Sequence, residues 1–98
     1  MHEDLLNQLL SCFEIDFVIQ FGNLGRNAND IDLLIVSDSF IGISNFKRRQ
    51  MVRNINYSFD ALCLTNSQFT KIKTCDSMLY KSILTNYKLL YGHHSSLS

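Results

Sequence analysis

The sequence predicts an α/β (α+β) domain, a small β-sheet with helices packed against it. Three observations predict it. Segments with apolar residues at helical spacing alternate with short runs rich in Val, Ile, Leu and Phe. The chain has 98 residues, enough for one core but little more. It contains no proline, so Gly, Asn, Asp and Ser must punctuate the elements. Hydrophobic residues make up 46% and charged residues 18%, an ordinary globular composition that argues against disorder. The formal net charge is zero, which excludes a general electrostatic grip on nucleic acid or on an anionic membrane but allows a local basic cluster.

Each element has its own local cause. Leu5, Leu6, Leu9, Leu10 and Phe13 recur at helical spacing and predict an amphipathic helix over 3–13. Residues 16–21 are short, apolar and stopped by Gly22-Asn23, as a strand is. Residues 24–29 supply the Gly and Asn of a turn. Residues 30–37 are almost continuously apolar after two acids, as expected for a strand covered on both faces. A loop follows over 38–43, then a helix capped by Ser44 and running to about residue 54. Residues 58–64 form a third strand containing Asp60. Thr65 or Ser67 starts a further helix, and Ser77 caps another that carries Leu79, Ile83 and Leu84. A short strand is expected over 88–91 and a frayed tail from Gly92 onward. The domain is expected to span 1–92, with 93–98 a disordered tail.

Chemistry concentrates between Phe21 and Val36. Side chains on a strand alternate faces, so Asp30 and Asp32 share a face while Ile31 and Leu33 take the other. Two carboxylates side by side repel each other unless a cation compensates them. Oxygen-only ligands with open positions suit Mg²⁺. Asp60 completes a carboxylate triangle if the third strand pairs beside the second. Upstream, Gly22 permits main-chain N–H groups to approach a phosphate, and Asn23 can donate to it. Phosphate at a turn and metal at neighbouring acids is what phosphoryl or nucleotidyl transfer requires. An Asp-x-Asp pair or a Gly-Asn turn alone is common, and the acids could then be solvated strand-end residues. Their combination with a third acid in a later apolar strand carries the weight.

Together these residues resemble the nucleotidyltransferase (DNA polymerase beta-like) fold superfamily, in particular its minimal nucleotidyltransferase domains. The family pattern is a strand ending in Gly-Ser, a polar loop, Asp-x-Asp, and a third acid on a later strand. Here it reads Phe21-Gly22-Asn23, Asp30-Ile31-Asp32-Leu33-Leu34-Ile35 and Phe59-Asp60-Ala61-Leu62, with Asn23 in place of serine and a shorter loop than in many members. The resemblance covers residues 3–91 and implies a small mixed β-sheet flanked by helices. It implies that Asp30, Asp32 and Asp60 hold Mg²⁺ and serve catalysis, with Asp60 also activating the acceptor hydroxyl. Gly22, Asn23 and Arg26 would contact the donor, ATP or another nucleoside triphosphate. A nucleoside monophosphate, AMP by resemblance, would pass to a hydroxyl with release of pyrophosphate. Larger relatives carry a second helical domain, so the acceptor site here is expected from a helical partner protein or a homodimer, and the chain would be the antitoxin of a toxin–antitoxin pair. The alternative is a non-catalytic module that neutralises or scaffolds a helical partner.

The remaining features are less pointed. Lys47, Arg48, Arg49 and Arg53 cluster on one predicted helix. They could meet a triphosphate tail, a nucleic-acid acceptor or an acidic partner, or form a solvated face. Asp38 follows the second strand as a turn residue. Tyr57, Tyr80, Tyr87 and Tyr91 read as packing residues, and His2, His93 and His94 as terminal ones. Cys12, Cys63 and Cys75 are odd in number and lack metal-site spacing, so reduced thiols in a cytoplasmic protein are expected. No apolar run approaches the roughly 18 residues of a membrane span, and the acidic start is unlike a secretory signal.

Overall fold

The computed structural model describes residues 2–22, 31–56, 59–75 and 77–93. In order, the elements are α1 (His2–Cys12), β1 (Phe17–Phe21), β2 (Ile31–Val36), a short 3₁₀ turn (Asp38–Phe40), α2 (Asn45–Ile55), β3 (Phe59–Leu64), α3 (Asn66–Thr74), α4 (Met78–Thr85) and β4 (Tyr87–Tyr91). The strands form one mixed sheet in the order β3-β2-β1-β4. β1 pairs antiparallel with both β2 and β4, whereas β2 and β3 run parallel. Parallel neighbours need a crossover, and α2 supplies it.

Strand alternation splits the core between the two faces of the sheet. On one face Val18, Leu33, Ile35, Ala61 and Cys63 pack with Leu9 of α1, Phe13 just after it, Phe40 of the 3₁₀ turn and Val52 of α2. On the other, Phe17, Ile19, Leu34 and Val36 pack with Phe69, Tyr80 and Ile83 from α3 and α4. Phe69 meets both Phe17 and Tyr80 edge-on, with ring centroids 4.8 and 5.9 Å apart. Because helices cover both faces, β2 is apolar at consecutive positions.

The helix starts follow from capping chemistry. Ser44, Thr65 and Ser77 each accept a backbone N–H with their side chains, and Thr65 forms a full capping box with Gln68. The expected 38–43 loop contains the 3₁₀ turn, capped by buried Ser37. Gly92, expected in a frayed tail, is exposed but abuts the start of β1: at φ +102° a Cβ there would stand 2.5 Å from Phe17 Cβ and 2.8 Å from the Asp16 carbonyl oxygen. No helix among the described residues is long and apolar enough to cross a membrane.

The three thiols are free, Cys12 and Cys75 exposed and Cys63 buried. Burial pushes the Cys63 thiol up from 9.0 to about 12, against a smaller opposite pull from Arg48 and Arg49. A raised pKa means the folded state holds this proton more tightly than the unfolded one. The stability it contributes is complete below pH 9 and is lost between there and about pH 12. Cys12 and Cys75 are therefore expected to react quickly with an aromatic disulfide reagent at pH 8, and Cys63 only as the protein unfolds. Three equally fast thiols would contradict this packing.

Candidate active site at the end of the central strands

β2 and β3 begin at the same end of the sheet, and their register places Asp32 directly opposite Asp60. Both lie on the α3–α4 face, in phase with Leu34 and Leu62. Antiparallel β1 ends there, so Gly22 arrives beside Asp32. Gly22 has φ +82°, and a Cβ would stand 3.1 Å from Asp32 Oδ2. Glycine is needed twice over: for the backbone conformation and for the room it leaves the carboxylate.

Two further residues position the rest: Asn86, to which the sequence assigns no role, and Arg49, placed by the sequence only within the basic cluster. Asn86, between α4 and β4, clamps the Gly22 turn. Its side-chain amide donates to the Gly22 carbonyl at 2.9 Å, and its own carbonyl accepts from the Gly22 N–H at 3.3 Å. No local signal marks Asn86, because the partners are brought together only by pairing of β1 with β4. Arg49 of α2 donates from Nη2 to Asp60 Oδ1 at 3.0 Å. A cleft of about 380 Å³ joins these groups and is lined by Phe21, Asp32, Arg49, Asp60, Ala61, Leu62 and Leu79.

The predicted basic cluster therefore divides. Arg48 is 4% exposed and holds α2 onto the sheet, donating to the carbonyls of Ile43 and Cys63 and to Gln68 Oε1. Its guanidinium is withdrawn from solvent and engaged within the protein, which corrects its expected place on an exposed helix face. Lys47, Arg49 and Arg53 remain exposed. Asp38 is a structural acid as expected, accepting from the Asn66 backbone N–H at 3.0 Å. A larger cleft, about 560 Å³, lies at the opposite end of the sheet beside Asp16, Asp38 and Asn66. Both of those carboxylates are already engaged by Asn66.

Of the predicted site residues, Gly22, Asp32 and Asp60 are brought together. Asn23, Arg26 and Asp30 lie outside the described residues. Among the described residues no group of three or more His, Cys, Asp or Glu side chains could hold a metal ion. The described pair nevertheless fits a hard divalent cation. Its donors are all oxygen, the missing Cβ of Gly22 leaves space at Asp32, and a cationic guanidinium already stands on Asp60.

No protein-family model and no curated protein matches the chain. Its structure is similar to that of a candidate nucleotidyltransferase from Sulfolobus solfataricus, with a TM-score of 0.60 and 17% identity over 94% of this chain and 78% of that one. It is equally similar to a toxin–antitoxin with AMP-PNP, with a TM-score of 0.60 and 18% identity over 99% of this chain and 78% of that one. The chain has the nucleotidyltransferase fold, the architecture its sequence resembles.

One consequence of the geometry is directly measurable. Gly22→Ala forces an L-residue into a left-handed conformation and crowds Asp32. A loss of about 1–3 kcal/mol is expected, read as a lower midpoint in urea. Unchanged stability would show that the turn is not held as described.

Proposed function

We propose that the chain is a Mg²⁺-dependent nucleotidyltransferase that moves AMP from ATP to a hydroxyl on a partner macromolecule, acting as the antitoxin of a toxin–antitoxin pair. The observation that carries this is the pairing of Asp32 with Asp60 at one register position, beside the Gly22 turn. Asp30, two residues before Asp32 in the sequence, would be the third ligand, as the Asp-x-Asp spacing suggests. These three acids would hold the ion, which when bound offsets phosphate charge that the carboxylates alone would repel.

The chain's own residues supply the rest. Asn86 holds the Gly22 turn at the mouth of the cleft, and Asn23 and Arg26, which follow it in the sequence, would donate to the donor's phosphates. The acceptor oxygen attacks the α-phosphorus, forming the new ester bond as the bond to the bridging β-phosphate oxygen breaks and pyrophosphate leaves. Asp60 takes the hydroxyl proton; its side chain is 40% exposed, so an acceptor from outside can reach it. The AMP-PNP in one structural neighbour supports an adenine nucleotide as donor, and the toxin–antitoxin character of that neighbour supports a protein partner.

The test is incorporation of α-labelled ATP into a co-expressed helical partner, comparing the native chain with Asp32→Asn and Asp60→Asn. Mg²⁺-dependent labelling lost in both variants is expected. Equal labelling by native and variant chains would favour the alternative, a non-catalytic binding module.

A further inference from the structure

Arg49 occupies a position that transfer chemistry alone would not require. Its guanidinium lies 3.0 Å from Asp60 Oδ1, where a metal ligand would turn its charge toward an ion. The side chain is 56% exposed, so no packing ties it there. It also borders a second hollow of about 210 Å³ on the outer side of α2, shared with Phe46, Gln50 and Arg53. The arginine thus stands between two openings, the carboxylate cleft and this hollow.

We propose that Arg49 is an exchangeable counter-ion, resting on Asp60 until a divalent cation takes that carboxylate and then binding the polyphosphate of the nucleotide. This rests on the nucleotidyltransferase function proposed above. Without an ion, the facing carboxylates Asp32 and Asp60 repel each other, and Arg49 offsets that repulsion. A divalent ion offers both carboxylates twice the charge of the guanidinium and displaces it. Arg49 then remains on the cleft rim as an unspent cation, with five N–H donors shaped for phosphate oxygens. α2 contains no acidic residue to recapture it. Metal and nucleotide consequently bind with positive coupling, because the first releases a ligand for the second.

The two roles have opposite signs, which separates them from a merely structural contribution. In Arg49→Met the ion no longer competes with the guanidinium. Mn²⁺ affinity without nucleotide, read from the electron-paramagnetic signal of free Mn²⁺, should rise about two- to fivefold, the range of an exposed ion pair. Affinity for AMP-PNP at saturating Mn²⁺, read by titration calorimetry, should fall about tenfold with loss of a charge-assisted phosphate contact. Lys47→Met removes the same charge from the same helix and should leave both constants within about a factor of two, as for an exposed charge without a specific partner. Circular dichroism confirms folding of each variant.

A native chain that binds neither Mn²⁺ nor AMP-PNP overturns the proposed enzyme and this exchange together. A chain that binds only one of them overturns the exchange. If the native chain binds both, the exchange alone falls on any of three results: Arg49→Met fails to tighten Mn²⁺, it fails to weaken AMP-PNP, or Lys47→Met matches it.

Discussion

Asp32→Asn and Asp60→Asn are each expected to lower nucleotidyl transfer by on the order of 100-fold or more while leaving the domain folded. An ion that offsets several kcal/mol of developing phosphate charge is worth about a factor of ten for each 1.4 kcal/mol. Asparagine keeps the shape and loses the charge. Stability should hardly move, for different reasons at the two positions. Asp32→Asn keeps a polar side chain of the same shape and takes one of two like charges off the β2–β3 pair. Asp60→Asn gives up an exposed ion pair with Arg49, and such pairs contribute about 0–1 kcal/mol. Urea denaturation and transfer of α-labelled AMP, measured on the same preparations, separate the two effects. Transfer within tenfold of native by either variant would remove that acid from the proposed chemistry.

The largest effect on stability is expected one residue before the site arginine. Arg48 is buried, with Nε 2.7 Å from the Ile43 carbonyl and Nη1 at 3.0 Å from the Cys63 carbonyl and 2.7 Å from Gln68 Oε1. Its guanidinium also lies over the Phe40 ring, 5.7 Å from the centroid. Arg48→Met leaves these acceptors without their donor in a place water cannot easily reach, costing about 1–3 kcal/mol for the unpaired groups and more for the lost packing. A loss of about 3 kcal/mol should lower the melting temperature by roughly 12–24 °C in a domain of this size. Arg48→Lys should recover little, because a single ammonium cannot serve three acceptors arranged for a planar fork. Thermal unfolding followed by circular dichroism reads both variants. A shift below about 4 °C for Arg48→Met would mean that α2 is held by its apolar face alone.

The neighbouring arginines show where sequence reading stops. Lys47, Arg48, Arg49 and Arg53 are one basic cluster in the chain, but successive helical residues point about 100° apart. One arginine therefore enters the gap between α2 and the sheet, and the next turns to Asp60. Which of them does so depends on how α2 lies across β3, and no pattern within the helix encodes that. Asn86 is similar: an unremarkable polar residue before a strand becomes a clamp on the Gly22 turn because β4 pairs with β1.

By itself, the sequence determined the kind and order of the main elements, the helix starts at Ser44 and Ser77, a third start at Thr65 or Ser67, and the pattern of acids around a glycine turn. These are short-range matters: periodicity places apolar residues on one face, and side-chain oxygens meet backbone N–H groups a few residues away. Only the tertiary structure decided the strand order β3-β2-β1-β4 and the register that sets Asp32 against Asp60. It also decided that Arg48 builds the core while Arg49 serves the cleft. The physical reason is that parallel pairing is specified by burial of both sheet faces at once, through contacts between segments far apart in the chain. That long-range fit, and no local signal, turns two separated aspartates into a pair.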